Sequence, residues 1–257
     1  MIVARTVTDV RAAISADRDG TIGLVPTMGA LHGGHLALLR SAREACGLVV
    51  MSLFVNPAQF GDAADLNGYP RDESRDLALA EEAGVDVVFA PSAGELYPPG
   101  YQTWVEVTEL GATLEGIHRP GHFRGVATVC LKLFTIVRPQ LAFYGQKDAQ
   151  QVEVLRRMIR DLHLELELRV VQTVRDEDGL ALSSRNGQLS QEERARALAL
   201  PRALETQDPG TARRILERAG LVVDYVERAP FDPPVLAGAV RVGATRLIDN
   251  VPLAQEA

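Results

Sequence analysis

Cysteine is scarce in this chain: its 257 residues include only Cys46 and Cys130, each amid apolar neighbours. Two such thiols exclude a disulfide framework, and as buried free cysteines they fit a reducing compartment. Basic residues are also in deficit, 27 Lys and Arg against 34 Asp and Glu, for a formal net charge of −7. That balance speaks against nucleic acid as a partner, although one basic cleft for a small anion stays open. No long apolar run exists. Leu48 to Val55, interrupted by Ser52, is far too short to span a bilayer. Met1-Ile-Val-Ala-Arg-Thr6 lacks the basic region and apolar core of a signal peptide. The expectation is a cytoplasmic chain with no membrane partner. The rest is ordinary for a globular protein, 46% hydrophobic and 24% charged, with room for one large domain or two smaller ones.

The elements alternate. Thr8 to Ser15 reads as a first helix, with Thr6 or Thr8 as its cap. Ile22 to Val25 is a short apolar strand; a turn through Pro26, Thr27, Met28 and Gly29 leads to an amphipathic helix from about Gly34 to Glu44. Leu48 to Val55 has the unbroken apolar character of a strand buried on both faces. A helix from after Tyr69-Pro-Arg71 to Ala83 and a strand from Val85 to Ala90 follow. This alternation predicts an α/β fold with a mostly parallel sheet. Further on, Gln102 to Thr108 alternates like a half-exposed strand, Val126 to Val137 is a long apolar helix, and Leu141 to Tyr144 and Leu164 to Val171 read as strands. After Val174 the pattern changes. A polar loop, the capping box Ser190-Gln-Glu-Glu193, a helix near Gly210 to Ala219 and three short strand-like runs predict a small α+β domain. The expected domains are 1–174 and 175–257.

Three stretches carry candidate chemistry. The first is Gly23 to Arg40, where a strand, a glycine turn and a helix make the geometry in which backbone N–H groups meet an anion. His32 and His35, three apart, share a first-turn face and offer N–H donors to a polyphosphate; a zinc pair or surface histidines are the alternatives. The second is Gly145-Gln-Lys-Asp148, again after a buried strand. Lys147 suits a phosphate and Asp148 a ribose, or Asp148 is simply a helix cap beside an exposed lysine. The third, Ser183-Ser-Arg-Asn186, suits a lid closing over phosphates and equally suits a plain linker.

Taken together, these stretches resemble the nucleotidyltransferase superfamily and, more closely, the pantothenate synthetase family. The matching pieces are Pro26-Thr-Met-Gly-Ala-Leu-His-x-Gly-His35, Phe54-Val-Asn-Pro-x-Gln-Phe60, Tyr69-Pro-Arg71, His122-Phe-x-Gly125, Gly145-Gln-Lys-Asp-x-Gln-Gln151, Ser183-Ser-Arg-Asn186 and Arg246-Leu-Ile-Asp-Asn250, in family order. The resemblance implies a Rossmann-like parallel-sheet N-terminal domain, a small C-terminal α+β lid and a homodimer. It implies a ligase that joins pantoate to β-alanine through a pantoyl-adenylate, consuming ATP with Mg2+ and releasing AMP and pyrophosphate. By position, Met28, Gly29, His32, His35, Gly145, Lys147, Asp148, Val174, Ser183, Ser184 and Arg185 would bind ATP, with His32, His35, Lys147 and Arg185 as the catalytic groups. Gln59, Gln151, Met28, Asn56, Tyr69, Arg119 and His122 would line the pantoate pocket.

These residue types fit that chemistry. A carboxylate is already a nucleophile, so the protein must only align two anions and neutralise charge developing on phosphate. Two features depart from the family pattern. Leu182 stands where methionine is usual, a swap that keeps volume. Arg75-Asp76 stands where adjacent acids are expected, which leaves Mg2+ mainly on ATP oxygens with Asp76 as one candidate and no ligand assigned.

Overall fold

The computed structural model describes residues 1–16 and 20–254. Six strands form the main sheet: β1 (Ile2–Ala4), β2 (Ile22–Thr27), β3 (Leu48–Leu53), β4 (Val87–Phe89), β5 (Leu141–Gly145) and β6 (Glu167–Val171), in the order β1-β4-β3-β2-β5-β6. Each registered pair in it runs parallel. β3 is buried on both faces up to Ser52, as a parallel sheet between helices requires. The helices of this part are α1 (Val7–Ser15), α2 (Gly33–Ala45), α3 (Ala63–Gly68), α4 (Glu73–Glu82), α5 (Ala93–Leu96), α6 (Glu115–His118), α7 (His122–Val137) and α8 (Ala149–Asp161). Thr6 caps α1, its hydroxyl accepting from the Asp9 N–H.

Strand order reverses direction at β2, with β3 on one side and β5 on the other, so the carboxyl ends of β2 and β5 form the topological switch point of a doubly wound sheet. Pro26 helps to part them. Registered pairing of β2 with β5 covers only Gly23 and Leu24, and Pro26, two residues on, has no N–H to give a ladder.

One expectation needs correction, and one strand had no sign in the sequence. Gln102 to Thr108 joins no sheet: the Val105 N–H goes to Thr128 Oγ1 on α7 instead of a neighbouring strand. Alternating exposure there reflects a chain laid over a helix, not a ladder. β1, which the sequence pattern did not suggest, is three residues long and pairs with β4.

By contact density the chain divides into two compact units, 1–144 with 154–171, and 145–153 with 172–257. The first has its core around Val25, Leu39, Val49, Met51, Val88 and Phe143. The second holds α9 (Gln191–Ala197), α10 (Ala199–Leu204), α11 (Pro209–Arg218) and an antiparallel sheet of β7 (Val222–Ala229), β8 (Val235–Val242) and β9 (Thr245–Pro252). Its core gathers Leu200, Leu204, Leu216, Val226, Leu236 and Val240. The capping box of α9 is formed, with the Ser190 N–H on Glu193 Oε2 and the Glu193 N–H on Ser190 Oγ. Among the described residues no helix is long and apolar enough to cross a membrane. Both cysteines are buried and unpaired, and burial pushes the Cys130 thiol up to about 12, so it stays a thiol.

Candidate active site

The loop after β2 is built to hold two imidazoles. Gly29 has φ 84°, and a Cβ there would lie 2.8 Å from Asp76 Oδ2, so only glycine fits. Asp76, in the first turn of α4, accepts the Ala30 N–H on one oxygen and the Leu31 N–H on the other, both at 2.8 Å. Its neighbour Arg75 donates to the Leu31 carbonyl. Thr27 Oγ1 accepts weakly from the Gly29 N–H while donating to the Ser52 carbonyl. The backbone of this turn is therefore fixed from two sides.

His32 is the N-cap of α2, and the two histidines form a capping box. His32 Nδ1 accepts the Gly34 N–H at 3.1 Å, and His35 Nδ1 accepts the His32 N–H at 3.3 Å. An accepting Nδ1 carries no proton, so each neutral ring holds its proton on Nε2. The rings lie 4.1 Å apart between centroids. This narrows the expectation that backbone N–H groups meet an anion here. The amides of Gly29, Ala30, Leu31, His32 and Gly34 already have intramolecular acceptors, and the donors suited to an anion are the two Nε2–H groups.

The second cluster in this unit centres on Gln59. Asn56 caps the short 3-10 turn Pro57–Gln59 and is buried, its Nδ2 donating to Gln59 Oε1 and to the Gly125 carbonyl. Gln59 Nε2 in turn faces Met28 Sδ at 3.3 Å. Asn56 Oδ1 accepts from the Tyr97 hydroxyl at 2.9 Å. Burial pushes that phenol far above its usual range, so it remains a donor. Arg119 Nη1 lies 3.1 Å from His122 Nε2, and His122 Nδ1 lies 3.0 Å from the Gln59 carbonyl. Arginine can only donate, so His122 carries its proton on Nδ1 and donates that N–H to the Gln59 carbonyl, the opposite tautomer to His32 and His35. Gly125 lets α7 approach this turn; a Cβ there would sit 2.3 Å from the Ala58 carbonyl oxygen. Met28, Asn56, Gln59, Arg119 and His122 thus come together, with Asn56 and His122 holding Gln59. Tyr69 packs edge-on to Phe60, the residue after Gln59.

The remaining candidates belong to the second unit. Gly145 precedes a 3-10 turn, Gln146–Asp148, that runs into α8. The Lys147 side chain is mostly buried, with Nζ 3.7 Å from Asp148 Oδ1, while Asp148 is half exposed. Gln151, half-buried, lies in the first turn of α8. The Val174 carbonyl accepts the Leu182 N–H across a hairpin that leads into Ser183. Ser183 caps the 3-10 turn Ser184–Gln188 by accepting the Arg185 N–H, and Asn186 Nδ2 ties this turn back to the Ala181 carbonyl.

Asp76 is unsuited to hold Mg2+, because it is buried and both its oxygens serve the histidine loop. Among the described residues no group of three or more His, Cys, Asp and Glu side chains could hold a metal ion. Sequence reading also missed Tyr97, for which proline neighbours gave no signal, and the clamp made by Arg75 and Asp76, whose partners lie more than forty positions away.

Comparison with known proteins identifies the family. The family model described as pantoate-beta-alanine ligase matches residues 2–252. A pantothenate synthetase of Pelotomaculum thermopropionicum is 48% identical over 99% of this chain and 100% of its own length. That of Heliobacterium modesticaldum is 53% identical over 91% of this chain and 92% of its own. The crystal structure of the Thermus thermophilus pantothenate synthetase superposes with a TM-score of 0.91 at 46% identity, covering 98% of this chain and 99% of that one. A Francisella tularensis pantoate-beta-alanine ligase, complexed with beta-gamma ATP and β-alanine, gives 0.90 at 33% identity, covering 98% and 97%. The chain belongs to the pantoate–β-alanine ligase family and is an enzyme of that class.

Proposed function

We propose that the chain condenses pantoate with β-alanine in two steps. The pantoate carboxylate attacks the α-phosphate of ATP, giving pantoyl-adenylate and pyrophosphate. The amine of β-alanine then attacks the activated carbonyl, and AMP leaves as pantothenate forms. The observation that carries this is the histidine capping box, which fixes two Nε2–H donors side by side at the switch point without adding a nucleophile or a metal cage. Such donors stabilise charge growing on phosphate oxygens. Met28 and Gly29 flank the nucleotide, and Lys147, Ser183, Ser184 and Arg185 contribute further phosphate donors. Gly145, Asp148 and the backbone of Val174 serve the nucleoside. Gln59, Gln151 and Met28 hold pantoate, with Asn56, Tyr69, Arg119 and His122 shaping the pocket; neutral amides do this without repelling the carboxylate.

On this reading residues 1–174 form the Rossmann-like binding domain and 175–257 the lid that shields the adenylate from water. Mg2+ travels with the ATP phosphates, as small hard cations do when few protein carboxylates are offered. The protein works in the cytoplasm, where its two thiols stay reduced, and as a homodimer, as the resemblance to the family implies. Incubation with ATP, Mg2+, pantoate and β-alanine should yield pantothenate, AMP and pyrophosphate in equal amounts. ADP and phosphate instead would point to an acyl phosphate, and pyrophosphate without AMP to a nucleotidylyltransferase with another acceptor.

A further inference from the structure

The motif Arg246-Leu-Ile-Asp-Asn250 has no part in the reaction as set out above, yet its last two residues, each buried, reach the two nucleotide loops of the second unit. Successive side chains of a strand point to opposite faces, so adjacent residues of β9 can address two loops at once. Asn250 Nδ2 donates to the Gln146 and Lys147 carbonyls, each at 2.9 Å, and its Oδ1 accepts from Gln146 Nε2 at 3.2 Å. Both amide hydrogens and the oxygen are therefore engaged on the turn that carries Lys147. Asp249 takes the Arg175 guanidinium in a two-pronged pair, Oδ2 at 2.6 Å and Oδ1 at 3.1 Å. Arg175 also donates to the Gly179 carbonyl, and it pairs with Ala181 across the hairpin whose second arm runs into Ser183-Ser-Arg185.

Peptide geometry gives the first contact a direction. In a trans peptide the N–H points opposite to the carbonyl of the same unit. With the Gln146 carbonyl held on Asn250, the N–H of Lys147 is aimed away from it, at the start of a 3-10 turn whose later N–H groups bond back into the turn. An aspartate at 250 would face the two carbonyls with oxygen and drive them off.

We infer that Asp249 and Asn250 are positioning residues for ATP, Asn250 setting the Lys147 turn and Asp249, through Arg175, the Ser183–Arg185 turn. The inference rests on the assignment of Lys147 and Arg185 to the ATP phosphates. The test is a double-mutant cycle on kcat/KM for ATP, with pantoate KM and thermal unfolding measured alongside. N250A should lower kcat/KM for ATP roughly tenfold in the wild-type background and less than about threefold in K147A, because contacts that act through one group are not additive. N250D should lose more than N250A. D249N should behave in the same way against R185A. Pantoate KM should move less than about twofold throughout, because the Gln59 cluster of that pocket is held by Asn56 and His122 and not by Asp249 or Asn250. Should N250A be too unstable to assay, Asn250→Ser, which keeps one donor, replaces it in the same cycle. An impaired K147A with an additive loss from N250A, or equal losses toward ATP and pantoate, would overturn the positioning role alone. An unimpaired K147A would overturn it through the role of Lys147 itself.

Discussion

The loops that follow β2 and β5 solve the same problem with opposite groups. The histidine loop is held through its N–H groups, by the Asp76 carboxylate from α4. The Lys147 turn is held through its carbonyls, by the Asn250 amide from β9. In the first case the amides of Gly29, Ala30, Leu31, His32 and Gly34 are taken up inside the protein, which favours the side-chain imidazoles as proton donors. In the second the carbonyls are turned toward Asn250, which leaves the Lys147 N–H on the other side of its peptide unit. A strand–glycine–helix sequence therefore does not by itself make the amide cradle that its pattern suggests. Which groups a loop leaves for an anion depends on what anchors it, and the anchors come from 45 and 103 or more positions away in the chain.

That contrast can be broken from either side. The largest effects should come from the presented groups: Lys147→Ala and His35→Ala should each lower turnover roughly a hundredfold, the scale for losing one charge-stabilising donor, with folding little changed in the first and modestly weakened in the second, which loses one arm of the capping box. Steady-state kinetics and thermal unfolding check both; near-wild-type rates would remove these side chains from the chemistry. Next is the anchor. Asp76→Ala leaves two N–H groups of the histidine loop unpaired at about 1–3 kcal/mol each, so turnover should fall about thirtyfold and the melting temperature should drop as well. If the variant melts lower but turns over normally, the clamp serves stability only. A smaller change is expected from Gln59→Ala and Gln151→Ala, which should raise pantoate KM about tenfold, near 1.4 kcal/mol, and leave ATP KM in place. The reverse pattern would show the pocket assigned the wrong way round. Smallest is Tyr97→Phe, which removes one hydrogen bond to Asn56 and should cost about 1 kcal/mol, read as a severalfold rise in pantoate KM.

Much of this could be read from the chain because it is local. Apolar runs located β2, β3 and β5, and the capping box before α9 stands as read. The His32–His35 spacing put both rings together at the start of α2, His32 as its N-cap and His35 in its first turn. What could not be read depends on distant partners. Nothing near Asp76 says that it turns to Ala30 and Leu31 and not to a metal, and nothing near Asn250 says that it grips Gln146. Segment 145–153 looks like part of a continuous α/β run, yet its contacts group it with residues 172–257. The tautomers were equally hidden, since they follow from Arg119 facing His122 and from the backbone amides facing His32 and His35.

The order of the chemistry is the most direct point of attack. A free carboxylate is a poor acceptor for an amine, whereas an adenylate has AMP to expel, so activation must precede condensation. The enzyme supplied with ATP, Mg2+ and pantoate, and no β-alanine, should exchange labelled pyrophosphate into ATP. Arg185→Ala should slow that exchange and let adenylate leak to hydrolysis. Exchange at the full rate with β-alanine absent is the predicted result; exchange that strictly requires β-alanine would contradict a free-standing adenylation step.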